Sequence, residues 1–86
     1  MNINQLIETV KNKINKNIPC DKIEIEDKSF LHKKHFSNDK SKFHIKLVVN
    51  SNYLRKKNKI DSTKEIYKVL DEELKNYIHS IQILIN

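Results

Sequence analysis

The chain has 86 residues, enough for a single domain over residues 1–86 with a small hydrophobic core. Its formal net charge is +6, and only Arg55 among the 17 basic residues is an arginine. Glycine is absent, which excludes sites built on glycine loops, such as P-loops, dinucleotide-binding turns and EF-hands. The charge alone is a weak indication of nucleic-acid binding, because sequence-specific readers favour arginine over lysine.

The compartment is suggested by the cysteine count and the hydropathy pattern. Cys20 is the single cysteine, so no internal disulfide can form and a reducing, cytoplasmic location is expected. A mitochondrial location would apply if a presequence had been removed. No apolar stretch reaches the length of a membrane span, so no membrane association is expected.

The first half of the chain predicts one helix and two strands. Apolar residues at helical spacing predict a first helix that ends before Pro19: Ile3, Leu6, Ile7, Val10 and Ile14. From Lys22 the period changes to two, which predicts a strand with Ile23 and Ile25 on its buried face. Residues 27–41 are polar and lack a period, and a loop of that length in a small domain is usually functional. Alternation from Phe43 to Val49 predicts the second strand.

The second half predicts a turn, a helix and a closing strand. Asn50 to Asn52 is interpreted as a turn, since asparagine tolerates the left-handed conformation. A basic connection follows from Tyr53 to Lys59. Ser62 and Glu65 match a capping box, which predicts the start of the second helix. That helix carries apolar residues at helical spacing (Ile66, Val69, Leu70, Leu74 and Tyr77), and alternation of Ile81, Ile83 and Ile85 predicts a third strand.

The predicted order is therefore α-β-β-α-β in one α+β domain. The first two strands are consecutive and are expected to pair antiparallel. The second and third strands flank a helix, and such a β-α-β unit is expected to be parallel and right-handed. The prediction is a three-stranded mixed sheet with both helices on one face.

Several segments resemble the BolA family across nearly the whole chain. Ile23 to Ser29, which ends in an Asp-x-Ser run, resembles the family's first strand, and Phe43 to Val49 resembles its second. The run I-Y-x-x-L-x-x-E-L from Ile66 to Leu74, followed by the I-H-S-I segment from Ile78, resembles the family's closing signature. A departure lies at Ser62-Thr63-Lys64, where the family usually has Arg-His-Arg, which weakens the transfer of any function assigned to that basic run.

This resemblance implies a KH-like fold of the second type and a non-enzymatic role. It further implies a monothiol glutaredoxin as partner, with a [2Fe-2S] cluster shared between the two proteins and glutathione, for cluster trafficking or iron sensing. His79, from the closing segment, and His32, from the long loop, would be the ligands, and His35 could substitute for His32. The isolated chain would be a monomer without a cofactor.

The residues themselves leave other interpretations open. His79 could be a helix-end histidine that caps carbonyl groups, and His32 could be a solvated loop residue. His44 alternates away from Phe43 and Ile45, which indicates a surface position on the strand. The carboxylates of residues 71–73 are interpreted as the solvent side of a helix.

Two alternative functions remain. A KH-like nucleic-acid-binding regulator would use lysine charge, since the GxxG loop is missing, and its contacts, which could equally serve a protein partner, would be Arg55, Lys56, Lys57, Lys59 and Lys64. A thiol enzyme would need Cys20 activated by an imidazole, and nothing in the sequence indicates one. Cys20 is instead expected to be a small, buried or half-buried residue.

Overall fold

The computed structural model describes residues 1–29 and 42–86. The predicted loop therefore lies outside the described residues from residue 30 onward, and His32 and His35 lie there too. The elements in chain order are α1 (Ile3–Asn17), β1 (Lys22–Asp27), β2 (Phe43–Asn50), α2 (Asn52–Arg55), α3 (Lys59–Val69), α4 (Asp71–Asn76) and β3 (Ile78–Ile85).

Helix α1 forms where the sequence predicts it. Asn2 caps its first turn, with its side chain accepting a hydrogen bond from the Gln5 amide while the Gln5 side chain accepts one from the Asn2 amide. The predicted apolar stripe becomes the buried face, with Leu6, Val10 and Ile14 fully covered. Burial of each such side chain contributes about 1.5–3 kcal/mol, which fixes α1 against the sheet.

The sheet has the predicted topology. Its strand order is β1-β2-β3, with β1 antiparallel and β3 parallel to the central strand β2. In register, Leu47 of β2 lies between Ile25 of β1 and Ile83 of β3. The helices cover one face, where the core joins sheet and helix residues: Leu6, Val10, Ile14, Ile18, Ile45, Leu47, Val49, Leu54, Ile66, Leu70 and Ile78.

The connection after β2 differs from the prediction. Asn50 is the last residue of β2 rather than part of a turn, and no described residue has a positive φ. The short helix α2 begins at Asn52, in the predicted turn, and runs into the segment predicted as a basic connection. Its cap is the buried Ser51, whose hydroxyl accepts from the Leu54 amide at 3.1 Å and donates to the Pro19 carbonyl at 2.6 Å. Serine satisfies both ends of this turn, so no left-handed residue is needed.

The predicted capping box at Ser62 and Glu65 is wrong. Helix α3 begins earlier, with Asn58 as its cap accepting a hydrogen bond from the Asp61 amide at 2.8 Å. Ser62 lies buried inside the helix, and its hydroxyl donates to the Leu54 carbonyl at 2.8 Å. The motif is therefore a coincidence of spacing, because Asn58 provides an equally good cap one turn upstream.

The predicted second helix is divided at Leu70 into α3 and α4. Leu70 has φ −99° and ψ 17°, although its amide still donates to the Ile66 carbonyl at 3.0 Å. Glu73, on α4, is 3% exposed, so its assignment to the solvent side of the helix is wrong. Within residues 1–29 and 42–86, no helix is both long and apolar enough to cross a bilayer.

Candidate functional site

His79 lies on an irregularity between the two parallel strands. Phe43 pairs with Ile78, but the next residue, His44, pairs with Ser80, so His79 is the extra residue of a β-bulge. Ile78 is buried, whereas His79 and Ser80 are both exposed. Bulges of this kind redirect side chains and occur frequently beside functional sites. The irregularity thus displays the His79 imidazole on the surface where β3 begins.

His44 lies beside His79, on the sheet face opposite the helices. The centres of the two imidazole rings are 4.8 Å apart, and the ring planes are inclined at 59°. Nδ1 of His44 lies 2.6 Å from the hydroxyl oxygen of Ser80, its register partner. The surface position predicted for His44 is confirmed in that the residue faces away from the core, but its proximity to His79 was not anticipated.

Residues 27–29, the last of the first described segment, are attached beside His44. The Lys28 amide donates to the His44 carbonyl at 2.7 Å, and the His44 amide donates to the Ser29 hydroxyl at 3.1 Å. The Ser29 amide in turn donates to a carboxylate oxygen of Asp27 at 2.9 Å, which makes the Asp-x-Ser run an Asx-turn. Residues 27–29 therefore direct the chain away from β1 beside His44.

The structure places Cys20 far from these histidines. The chain follows Cys20 into β1 at Lys22, which pairs with Asn50 at the far end of β2 from His44. At ~3.3 Å per strand residue, the two ends of β2 lie about 20 Å apart. Cys20 is half-buried, as expected, with Sγ 3.5 Å from the Asn15 amide oxygen. Burial raises the pKa of its thiol, which disfavours the nucleophilic thiolate.

The predicted basic contact residues lie near the opposite end of β3 from His79. A groove of about 340 Å³ separates α2 and α3 from the last residues of β3, and three of the five, Arg55, Lys57 and Lys59, line it. Lys56 and Lys64 are exposed but do not line the groove.

Lys57 is less suited to an external ligand than its position suggests. Its Nζ lies 2.8 Å from a Glu65 carboxylate oxygen and 4.7 Å from the centre of the Tyr53 ring. The hydrogen bond from Lys57 lowers the pKa of Glu65, and the same bond raises the pKa of Lys57. The charge of Lys57 is thus partly neutralised within the protein.

Comparison with known proteins agrees with this architecture. The family model for BolA-like proteins matches residues 14–86. The chain belongs to the BolA family. The match runs from the end of α1 through β3, and it confirms the family resemblance carried by the closing signature. Members of this family are generally non-enzymatic.

Solved BolA structures show the same fold. The BolA domain of SufE1 from Arabidopsis thaliana is 26% identical, with a TM-score of 0.80, covering 94% of this chain and 90% of that one. BolA1 from Arabidopsis thaliana is 22% identical, with a TM-score of 0.76, covering 93% and 88%. BolA1 from Mus musculus is 18% identical, with a TM-score of 0.74, covering 92% and 62%. No curated protein matches the sequence. These neighbours confirm the predicted α+β fold with its mixed three-stranded sheet.

Proposed function

We propose that this BolA-like protein is a non-enzymatic partner of a monothiol glutaredoxin and shares a [2Fe-2S] cluster with it. Its role would be cluster trafficking or iron sensing, with the cluster as cargo rather than a resident cofactor. His79 is one ligand in this proposal and His32 the other, with His35 as the substitute. The observation that carries the proposal is the position of His79. It is exposed on a β-bulge, and the neighbouring strand residue His44 holds Ser29, the last described residue before residues 30–41.

The chemistry of His79 fits this role. Imidazole is a suitable ligand for iron, and histidine in place of a thiolate raises the potential of a [2Fe-2S] cluster. The ligand must be exposed, because the glutaredoxin and the glutathione thiolate approach from outside this chain. The bulge meets this requirement, since it turns His79 outward while Ile78 stays in the core.

The backbone also supports a loop ligand. Ser29 is held by the His44 amide, and His32 follows Ser29 by three residues. At ~3.3–3.6 Å per residue, a chain of that length extends about 10 Å. The Phe43 amide donates to the Tyr77 carbonyl at 2.8 Å, so the described residues on both sides of residues 30–41 are held near the start of β3. Because Ser29 and Phe43 are both held near the start of β3, we propose that His32 or His35 reaches His79.

The proposal assigns this chain ligands and no catalytic residue. By itself the protein would be a monomer without a cluster, and it would act in the cytoplasm, or in mitochondria if a presequence had been removed.

Reconstitution of the complex tests the proposal. The protein is mixed anaerobically with a monothiol glutaredoxin, iron, sulfide and glutathione, and visible absorption and circular dichroism are recorded. His79→Ala is expected to abolish the signal of the mixed complex, whereas Gln82→Ala, another exposed residue of β3, is expected to leave it unchanged. His32→Ala and His35→Ala identify the loop ligand. A wild-type spectrum from His79→Ala would refute its assignment as a ligand.

A second candidate function, nucleic-acid binding, is favoured by the groove lined by Arg55 and Lys59. Binding would depend on phosphate charge, so affinity should fall steeply with salt, and each lost contact should reduce the salt slope by about 1. Arg55→Gln is expected to weaken binding, and Lys75→Gln, on α4, serves as the control. Failure to bind duplex or single strands at about 50 mM salt would eliminate this candidate.

A further inference from the structure

The outer edge of β3 is available for strand pairing. The sheet order β1-β2-β3 leaves β3 with no strand on its second side among residues 1–29 and 42–86. We propose that residues 81–85 of this edge bind an extended, acidic segment of a partner protein, which adds to the sheet as a fourth strand. The site lies at the other end of β3 from His79, so it requires neither a cluster nor a glutaredoxin and does not rest on the proposed function.

Hydrogen bonding to β2 fixes which backbone groups of β3 face outward. The Asn86 amide donates to the Val49 carbonyl at 2.8 Å, which directs Asn86 toward β2. Because backbone groups alternate in direction along a strand, the amides and carbonyls of Ile81, Ile83 and Ile85 point away from β2. Within the part of the chain that the structure describes, these groups have no hydrogen-bond partner. They form the row of donors and acceptors that an added strand satisfies.

The two edges of the sheet differ in their protection. Proteins usually protect an edge strand with charged side chains, with proline or with bulges. The opposite edge, β1, carries Lys22, Glu24 and Glu26, which are all exposed. Residues 78–85 of β3 contain no charged residue and no proline, and the bulge lies at the start of this strand. The end of β3 is therefore open to a partner strand, whereas β1 is protected against one.

The helices cover β3 less completely than they cover β2. Leu47 and Val49 of β2 are fully buried, whereas their register partners on β3, Ile83 and Ile85, are only half-buried. The space beside them is the groove of about 340 Å³, which Leu54 also lines. Alternate side chains of an added strand would lie in line with Ile83 and Ile85 and would enter this groove. The partner segment therefore carries apolar residues at alternate positions.

The charge of the groove favours an acidic partner. Arg55 and Lys59 line it, and neither forms an ion pair among the described residues. The Arg55 side chain donates a hydrogen bond to the neutral side-chain oxygen of Asn52, which leaves its charge uncompensated. A carboxylate on the added strand would compensate both charges.

This charge also decides between possible occupants of the edge. A second copy of this chain fits less well, because its own β3 has no acidic residue to offer Arg55 and Lys59. A nucleic acid could use the same two basic residues, but it lacks the alternating amides and carbonyls that pair with a strand edge. An acidic polypeptide segment is the occupant that satisfies both the backbone and the charges.

Binding of a synthetic peptide to the full chain tests the proposal. The probe is a fluorescein-labelled peptide in which valine and threonine alternate, with an aspartate at each end so that either strand direction brings a carboxylate to Arg55 and Lys59. Fluorescence anisotropy should rise to saturation, and hydrogen exchange followed by NMR should show protection of the Ile81, Ile83 and Ile85 amides.

Two control peptides test the strand pairing itself. One is N-methylated at its valines and the other at its threonines, so each loses the amide donors along one of its edges. The peptide methylated on the edge that faces β3 should bind about 30-fold more weakly, because at least two hydrogen bonds are lost. The other should bind as the unmethylated peptide does.

Charge reversal tests the chemistry of the partner. Arg55→Glu should weaken binding of the aspartate-ended peptide and strengthen binding of a lysine-ended one. Lys75→Glu, on α4, should change neither affinity, and circular dichroism checks that both variants are folded.

Four outcomes would overturn the proposal. They are no binding up to about 1 mM peptide, equal binding of the two N-methylated peptides, protection of the β3 edge by a single-stranded oligonucleotide but not by peptide, and protection without peptide in a chain that sediments as a dimer. Because these assays contain no cluster and no glutaredoxin, their failure would leave the glutaredoxin proposal standing, and the reconstitution experiment would decide that proposal separately.

Discussion

The stability of the fold depends on an ion pair between the buried carboxylate of Glu73 and Lys13. Glu73 on α4 is 3% exposed, and its Oε2 accepts a hydrogen bond at 2.6 Å from Nζ of Lys13 on α1. The other oxygen, Oε1, is buried without a hydrogen-bond partner among the described residues. A carboxylate oxygen of Glu72 also lies 3.7 Å from Nζ of Lys13, but Glu72 is largely exposed and needs no buried partner. We therefore predict that Lys13→Met leaves a buried charge uncompensated.

The expected loss of stability in Lys13→Met follows from how far Lys13 and Glu73 are exposed to solvent. Removal of one member of a fully buried pair costs about 3–5 kcal/mol, and a hydrogen bond to a charged group contributes about 1.5–3 kcal/mol. The Lys13 side chain is 33% exposed, so water partly replaces it, and we expect the lower range, about 2–3 kcal/mol. For a domain of this size that corresponds to a fall in Tm of ~8–24 °C.

Urea denaturation provides the assay, with Lys11→Met, an exposed residue of the same helix, as the control. The double variant Lys13→Met with Glu73→Met removes both charges and should be more stable than Lys13→Met alone, because no unpaired carboxylate remains. A loss below about 0.5 kcal/mol in Lys13→Met, or a double variant less stable than the single one, would refute the reasoning.

The Lys13–Glu73 pair also makes the stability of the fold fall at high pH. The hydrogen bond to Glu73 raises the pKa of Lys13 above its ordinary value of 10.5, so the folded state holds this proton more tightly than the unfolded chain does. The stabilisation from the Lys13–Glu73 pair is fully present below pH 10.5 and is lost as the pH rises through the pKa of Lys13 in the folded state. The stability difference between wild type and Lys13→Met should therefore narrow in strongly alkaline buffer.

Three further predictions concern other contacts. Ser51→Ala removes the cap of α2 and the hydrogen bond to the Pro19 carbonyl, and should cost about 1–3 kcal/mol in urea unfolding, whereas Asn12→Ala, on the exposed side of α1, should cost far less. Glu65→Gln should lose stability relative to wild type near neutral pH. The difference should shrink as the pH falls below the ordinary carboxyl pKa of 4.5 and through the pKa of Glu65 in the folded state, which the hydrogen bond from Lys57 lowers; a constant difference would contradict this. Cys20 should react with a thiol reagent at neutral pH more slowly than free cysteine, because burial raises its pKa, and faster reaction would revive the thiol-enzyme hypothesis.

The sequence predicted the elements whose cause is local. Period-two alternation identified β1, β2 and β3, and helical spacing with Pro19 identified α1, because solvent on one side and core on the other imposes these periods. It failed where the cause is distant along the chain. Glu73 is buried because Lys13, sixty residues earlier, reaches it. Ser62 fits a capping motif, yet its buried hydroxyl donates a hydrogen bond to the Leu54 carbonyl instead of capping a helix.

The candidate site, like the fold, was predicted only in part. The family signature identified His79, but His44 gave no local signal of its position beside that residue. A regular ladder continued from Phe43 and Ile78 would pair His44 with His79; the bulge instead pairs His44 with Ser80 and leaves His79 as the extra residue beside it. A bulge depends on how two strands fit together, and the sequence of either strand alone does not encode it.

The two candidate surfaces are far enough apart to be separated by mutation. His79 lies at the start of β3, and Leu84, which lines the basic groove, lies five residues further along the strand. At ~3.3 Å per residue the two positions are about 16 Å apart, beyond the reach of a single ion or cluster. Substitutions at separations above about 7–10 Å without shared partners are additive in free energy. The effects of His79→Ala and Arg55→Gln should therefore add in any assay that both surfaces influence, and a strongly non-additive pair would indicate one partner that contacts both ends of β3.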